Sequence, residues 1–168
     1  MVDFRAMPVT DAAARVLLTD YFAARAASFP GGPSAYRTSF PEPHRFVPPR
    51  GVFVVARSEM GSDVGCGGIR LLDPLGGRRH GAGVTRFELK HLWVDPGARS
   101  TGVGAALLDE LEARARAFGA SELVLDTHVA QEAAGRLYAR TGFVPISAYN
   151  DNPNATVWLG KNLTTELE

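Results

Sequence analysis

The glycine-rich segment from Arg99 to Ala105 constrains the fold of this chain more than any other feature. It reads Arg-Ser-Thr-Gly-Val-Gly-Ala and separates an apolar, strand-like run, Phe87 to Val94, from a long amphipathic pattern typical of a helix. The first backbone N–H groups of a helix have no partner inside it, and the helix dipole adds partial positive charge at that end. Because Gly102 and Gly104 carry no Cβ, an anion can approach the backbone closely. The segment therefore predicts a strand–turn–helix unit that binds a diphosphate.

The remaining patterns predict a mixed α/β domain around this unit. A helical pattern begins near Thr10, the expected N-cap, and continues to about Ala27. Further helices are expected after the glycine turn and from Glu132, and apolar runs bounded by turns predict strands. The expected strands are Val52–Ala56, Val64–Leu72, Thr85–Val94, Leu123–Asp126, Phe143–Ile146 and Thr156–Gly160. We expect residues 1–168 to form a single domain in which a central twisted sheet of six or seven strands carries helices on both faces.

Composition excludes several classes of function. The formal net charge is zero, with 18 basic and 18 acidic residues, whereas a nucleic-acid-binding domain usually carries a basic surplus. Cys66 is the only cysteine, so no internal disulfide can form and a reducing, cytoplasmic setting is expected. No run is long enough to span a bilayer, so no membrane partner is expected. We expect no metal, because the histidines lack the paired spacing of a zinc site: His44, His80, His91 and His128.

The glycine turn has three readings apart from any family. A P-loop needs a Lys-Ser/Thr pair after the glycines, but Ala105-Ala106 stands there. A dinucleotide-binding fingerprint needs a third glycine where this chain has Leu107, and a predicted hairpin rather than a βαβ unit precedes the turn. The third reading is a tight strand-to-helix turn that binds no ligand.

Three motifs resemble those of the GCN5-related N-acetyltransferases (GNAT family). The segment Arg99–Ala105 resembles the family signature Arg/Gln-x-x-Gly-x-Gly/Ala, and Glu88–Pro96 resembles the strand that precedes it. Leu137–Phe143 resembles the family's Leu-Tyr-x-x-x-Gly-Phe segment. The resemblance extends from about Thr85 to Lys161, with the motifs in the family's order and spacing.

The resemblance implies that acetyl-CoA is the co-substrate. Its pyrophosphate would be bound mainly by backbone N–H groups of Arg99, Ser100, Thr101, Gly102, Val103, Gly104 and Ala105. Its pantetheine arm would pair with backbone groups of Leu92, Trp93 and Val94, as an added strand does. Gln131 stands where the family often has an asparagine that contacts CoA through its amide.

The resemblance also implies a set of catalytic groups. Tyr138 matches the general acid that protonates the leaving thiolate. Glu88 stands where some family members carry a glutamate base, and its plain alternative is an exposed strand carboxylate. His128, just past a predicted strand, is a second candidate base. Strand alternation predicts that His91 faces away from Glu88, unless a bulge shifts the phase.

These implications lead to an expected function. The chain would be an acetyl-CoA-dependent N-acetyltransferase that transfers the acetyl group directly to a primary amine. The alternatives are a non-catalytic CoA-binding module of the same fold and an acyltransferase that uses another acyl-CoA. We expect a small-molecule acceptor rather than a protein, bound by the loops Phe29–Arg50 and Tyr149–Asn154; a homodimer stays open. Arg78, Arg79 and His80 are expected at a solvated loop tip.

Overall fold

The computed structural model describes residues 1–73 and 83–164, so the predicted loop tip with Arg78, Arg79 and His80 lies outside the described residues. The strands are β1 (Asp3–Ala6), β2 (Gly51–Arg57), β3 (Asp63–Leu71), β4 (Arg86–Val94), β5 (Glu122–Thr127), β6 (Val144–Pro145) and β7 (Val157–Asn162). The helices are α1 (Ala12–Ser28), α2 (Val103–Ala117) and α3 (Glu132–Arg140). Short 3₁₀ turns interrupt the proline-rich segment between α1 and β2.

The start of the chain departs from prediction in two details. Residues Asp3–Ala6 form an edge strand on β2 that the polar sequence did not indicate. Helix α1 is capped by Asp11, whose carboxylate accepts a hydrogen bond from the Ala13 N–H at 2.9 Å, so the prediction of Thr10 as N-cap is wrong. A capping carboxylate satisfies one of the free amides of the first turn and also opposes the helix dipole.

One seven-stranded sheet organises the domain, in the order β1-β2-β3-β4-β5-β7-β6. Every neighbouring pair is antiparallel except β4 and β5, which run parallel because α2 connects them as a crossover. The parallel pairing extends only from Arg86 opposite Glu122 to Glu88 opposite Val124. Beyond Glu88 the two strands separate, and this separation positions the site described below.

Helices cover both faces of the sheet, which confirms the predicted fold class. The apolar stripe of α2 packs on one face through Leu107, Leu108 and Leu111, all fully buried. Helix α1 covers the other face with Leu18 and Phe22. Residues three or four apart lie on the same side of a helix, and each fully buried leucine stabilises the fold by about 1.5–3 kcal/mol relative to an exposed one.

A bulge in β4 changes which way its later residues point. In the ladder with β3, Gly67 alone faces two residues of β4, His91 and Leu92. His91 takes a left-handed backbone conformation with φ of +58°. Its ring lies 5.4 Å from the ring of Tyr21 and 5.5 Å from that of Phe22, both on α1. The bulge thus turns His91 towards α1, where simple strand alternation would have pointed it to the α2 face.

Candidate functional site

A cleft of about 910 Å³ opens where β4 and β5 separate. Its walls come from α1, the loop after α1, the bulged end of β4, the end of β5, the start of α3 and the loop that contains Asn150 and Asn154. A crevice at the carboxyl ends of parallel strands is a common place for a ligand, because loops and helix ends meet there without blocking the sheet edge. The two predicted acceptor loops both contribute to these walls.

The predicted diphosphate cradle forms the entry to α2. Gly102 is the N-cap with φ of +88°, and Ser100 also has a positive φ of 63°. Among the described residues, the six consecutive amides from Ser100 to Ala105 donate to no acceptor. Successive free N–H groups at a helix N-terminus form an anion-binding concavity, because their dipoles point to the same side.

Glycine is present at positions 102 and 104 of the cradle for different physical reasons. Gly102 needs its positive φ, which side chains rarely adopt. A Cβ on Gly104 would meet Leu137 at 3.5 Å and Val94 at 3.7 Å, which are ordinary van der Waals distances. Packing within the protein therefore does not demand glycine at position 104. A ligand that approaches the backbone closely would require glycine at this position.

The end of β4 leads from the cleft to the cradle. Leu92 and Trp93 line the cleft, and Arg99 joins the two parts because its Nε donates to the Val94 carbonyl at 3.0 Å. Since β5 pairs with β4 only as far as Glu88, the edge from Leu89 to Val94 is not covered by β5. An extended amide chain can add to such an edge by backbone hydrogen bonds.

Tyr138 lies on α3 and lines the cleft. Its ring packs edge-to-face on Phe143 at 5.7 Å between centroids. Burial raises the pKa of Tyr138 to about 12, with Arg25 acting against this rise and Asp126 adding to it. The hydroxyl is therefore protonated throughout the neutral range and can donate a proton.

Gln131 also lines the cleft, at the N-cap of α3. Its Nε2 donates to the Ser28 hydroxyl at 3.2 Å, at the end of α1. The amide predicted to contact CoA therefore joins two walls of the cleft.

Glu88 is not the exposed strand carboxylate that one reading of the sequence expected. It is fully buried and is not among the described residues that line the cleft. Two nitrogens of Arg70 lie 2.8 Å from its Oε1, and the Tyr149 hydroxyl donates to its Oε2 at 2.7 Å. Burial and the Glu88 charge raise the pKa of Tyr149, so Tyr149 stays a neutral donor. With both oxygens occupied and the side chain fully buried, Glu88 is a buried structural anion. This geometry argues against its assignment as direct base, which stays a prediction.

His128 is the second candidate base. Its Nδ1 accepts from the Ala130 N–H at 3.0 Å, and its ring packs on Phe29 at 5.4 Å between centroids. His128 is not among the described residues that line the cleft. It shapes the turn after β5, its neighbours Thr127 and Ala130 line the cleft, and its assignment as a base stays a prediction.

Sequence reasoning missed Lys90 and Asp126 and did not pair the residues of the two acceptor loops, which together line the part of the cleft that we call the side-chain end. Lys90 lies 3.6 Å from Asp126, and Asn150 donates to the same carboxylate at 2.7 Å. The Asn154 side chain bonds the backbone N–H and carbonyl of Arg37 at 3.0 and 2.7 Å and so joins the two acceptor loops. These residues lie far apart in sequence, so no spacing could have grouped them. Only the Tyr21–Arg25 pair on α1 carried a signal, because residues four apart share a helix face.

Two further searches concern metals and membranes. In residues 1–73 and 83–164, no three side chains of histidine, cysteine, aspartate or glutamate are grouped as a metal site would require. Over the same ranges, no helix has both the length and the apolar character needed to cross a bilayer.

Comparison with known proteins places this architecture in a family. The family model "Acetyltransferase (GNAT) family" matches residues 16–143. An IAA acetyltransferase of Azospirillum brasilense is 39% identical over 104 residues, which is 60% of this chain and 61% of that protein. An uncharacterized N-acetyltransferase of Schizosaccharomyces pombe is 35% identical over 109 residues, 65% of this chain and 61% of that protein. The match thus spans about three-fifths of the length of these curated relatives.

Solved structures share the fold over nearly the whole chain. A structure from Klebsiella pneumoniae, described as that of an acyl-CoA N-acyltransferase, superposes with a TM-score of 0.73 at 28% identity and covers 98% of this chain and 99% of its own. A GNAT-family acetyltransferase from Staphylococcus aureus gives a TM-score of 0.70 at 16% identity, over 98% of this chain and all of its own, and supports the fold alone. The free amides at the start of α2, the separated parallel strands and the matched family model lead to one conclusion: this chain belongs to the GNAT family of acetyltransferases.

Proposed function

We propose that residues 1–168 form one acyltransferase domain that transfers the acetyl group of acetyl-CoA to a primary amine of a small molecule. The observation that carries the proposal is the run of six amides, Ser100 to Ala105, that have no acceptor among the described residues. They lie at the end of the uncovered edge of β4, so one extended molecule can place its diphosphate on the amides and its amide arm along the strand. Coenzyme A has this shape.

The reaction is a direct transfer in a complex of both substrates. The amine nitrogen attacks the thioester carbonyl carbon, a C–N bond forms and the C–S bond breaks. Tyr138 gives its hydroxyl proton to the departing thiolate, because the raised pKa keeps that proton in place at neutral pH. A backbone N–H near the β4 bulge would polarise the carbonyl oxygen. The amine loses one proton, so the products are an amide and the free thiol of CoA.

The proton of the amine needs a different acceptor from those that the sequence suggested. Glu88 and His128 do not line the cleft, whose walls are otherwise rich in polar groups. We propose that water in the cleft removes this proton, or that the amine enters already neutral. Either route makes the rate rise with pH as the amine deprotonates.

Two alternatives keep the fold but change the function. A non-catalytic CoA-binding module would have no need of a tyrosine on the cleft wall, and Tyr138 favours the enzyme. A different acyl-CoA donor remains a second candidate, since the cradle and β4 edge would bind the CoA part of any acyl-CoA alike. The proposed donor and the single buried Cys66 suit a reducing, cytoplasmic setting.

The experiment that tests the proposal is Tyr138→Phe. Loss of the proton donor is expected to lower kcat about 10²–10⁴-fold, the usual range for general acid–base catalysis. The Kd for CoA, measured by calorimetry, should change by less than about twofold, because the cradle is made of backbone. The control is the free energy of unfolding, which should be unaltered since no described hydrogen bond is lost. Undiminished kcat would reject the acid role, and absence of CoA binding to the unmodified protein would reject the whole proposal.

A further inference from the structure

Three buried polar atoms of the described residues lack a hydrogen-bond partner, and all three belong to side chains that line the cleft. They are Nε of Arg25, Nδ1 of His91 and Nε1 of Trp93. The arginine and tryptophan nitrogens can only donate hydrogen bonds. A buried donor without an acceptor costs about 1–3 kcal/mol, so such atoms are rarely left unpaired without a functional reason. A ligand with hydrogen-bond acceptor atoms would satisfy the arginine and tryptophan donors.

The ion pairs of the cleft also indicate a ligand with acceptor atoms. Asp126 is balanced by Lys90 at 3.6 Å, and Glu132 on α3 by Arg136 at 3.6 Å. The buried Glu88 behind the wall is balanced by Arg70. Arg25 has no carboxylate within ion-pair distance among the described residues. Arg37 and Arg99 also line the cleft without an ion pair among the described residues, so the unpaired cations of the wall are all guanidinium groups, whose planar fork matches a carboxylate. Of these three arginines, only Arg25 has a buried nitrogen without a hydrogen-bond partner.

The surroundings of Arg25 hold it in place. Its Cζ lies 5.8 Å from the centre of the Tyr36 ring, in the loop that Asn154 anchors to the far wall. Tyr21, one helical turn before Arg25, faces the same cleft. Arg25 also acts on the pKa of Tyr138, which places its charge near the proposed acid. A group bound by Arg25 would therefore lie close to the reacting atoms.

Building on the proposed function, we infer that the acceptor carries a carboxylate as well as its amine, and that Arg25 binds that carboxylate. The acceptor is an amino acid or an amino-acid-like molecule. The aromatic walls formed by Tyr21, Phe22, Tyr36 and Phe40 suit an apolar remainder of that molecule. A polyamine would place a second positive charge among the unpaired guanidinium groups of Arg25, Arg37 and Arg99, against the single lining carboxylate of Glu42 that has no arginine or lysine partner among the described residues.

The test uses amines in matched sets. Phenylalanine, leucine, β-alanine and 4-aminobutyrate are each compared with the primary amine that lacks the carboxylate, and the first two also with their carboxamides. Thiol release gives kcat/KM, and calorimetry on the CoA-saturated protein gives Kd for each compound. We expect at least one carboxylate to be preferred over its matched neutral amine by about 10–100-fold, the range for a hydrogen bond to a charged group.

Arg25→Met keeps the aliphatic stem and removes the charge. It should reduce the preference to less than about threefold and leave the Kd for CoA unchanged. The matched control is Arg140→Met, the same charge change on an exposed residue of α3 that does not line the cleft, which should keep the full preference. The unfolding transition of both variants is recorded to show that they are folded.

The outcomes separate this inference from the function on which it rests. If CoA binds but every carboxylate is bound and acetylated no better than its neutral counterpart, the inference is overturned and the acyltransferase proposal stands. A carboxylate preference that survives Arg25→Met also overturns it. If CoA does not bind at all, the proposed function itself fails.

Discussion

Two neighbouring regions, the cradle and the side-chain end of the cleft, present different parts of the chain: backbone amides in the first and side chains in the second. The cradle presents the free backbone amides of six consecutive residues, Ser100 to Ala105. At the side-chain end, the groups that face the cleft are side chains of Arg25, Tyr36, Lys90 and Asp126, which come from four separate elements or loops. The comparison teaches that a backbone site can be recognised in one short stretch of sequence, whereas a side-chain site depends on the whole fold.

The same difference affects stability. The cradle is largely exposed at Ser100, Thr101 and Gly102, so its groups are hydrated and cost little to maintain. The side-chain end is held in part by Arg70, which pairs with the fully buried carboxylate of Glu88. Removing one partner of a buried ion pair leaves an uncompensated charge in a medium that solvates it poorly. We therefore expect the side-chain end to be sensitive to charge removal and pH, and the cradle to be sensitive mainly to shape.

The largest effect is expected from Arg70→Met, which removes the cation that holds Glu88. The buried carboxylate keeps only its bond from Tyr149, and the free energy of unfolding should fall by about 3–5 kcal/mol, as measured by urea denaturation. The matched control is Arg50→Met, whose partner Asp73 lies at 2.8 Å on an exposed surface; it should lose less than about 1 kcal/mol. Equal losses in the two variants would show that Glu88 is not a buried structural anion.

Acid should lower the free energy of unfolding through His91, which lines the side-chain end. Burial first, and then Lys90 and Arg70, lower the pKa of His91 from 6.5 to about 3. Between pH 6.5 and pH 3, His91 is therefore protonated in the unfolded chain but not in the folded chain. The stabilisation that is fully present above pH 6.5 is lost as the pH falls towards 3. The slope is up to about 1.4 kcal/mol per pH unit.

His91→Asn isolates this contribution, because asparagine tolerates the left-handed backbone and does not titrate. The free energy of unfolding of this variant, measured between pH 7 and pH 4, should fall less steeply than that of the unmodified protein. Parallel pH profiles for the two proteins would mean that His91 takes up its proton in the folded state and is not buried as described.

The cradle should respond to one methyl group. In Gly104→Ala the new Cβ fits within the protein at 3.5 Å from Leu137, and alanine favours helix by up to about 1 kcal/mol. Stability should therefore stay equal or rise, while the Kd for CoA weakens about tenfold or more because the ligand can no longer approach the amide. Ser100→Ala is the matched control: its amide is unaltered, so the Kd should change by less than about twofold. Weaker binding in the control but not in Gly104→Ala would disprove recognition by the backbone.

Much of the fold could be predicted because its signals are local. The apolar spacing of Leu107, Leu108 and Leu111 predicts the buried face of α2 without knowledge of what covers it. Strand β1 was missed because it has only four residues, and the alternation of polar and apolar residues in Asp3–Ala6 is too short to indicate a strand by itself. The orientation of His91 was predicted only conditionally, because a bulge depends on the register with β3.

The site divides along the same line. Tyr138 and Arg99 were predicted from motifs, and both line the cleft. Glu88 and His128 were chosen from their place in a strand or at its end, and such positions do not indicate whether a side chain has access to a cavity. The partners that bury Glu88, namely Arg70 and Tyr149, lie 18 and 61 residues away.

The sequence by itself determined the family, the order of strands and helices around the glycine turn, and the turn at residues 99–105 that begins α2. These depend on backbone conformation and on spacing within one segment, which the local residue types specify. Only the tertiary structure decided which charges are buried in pairs, that the bulge turns His91 to α1, and that Arg25 is left without a carboxylate beside the cleft. The physical reason is that burial and charge pairing are set by neighbours brought together from distant parts of the chain.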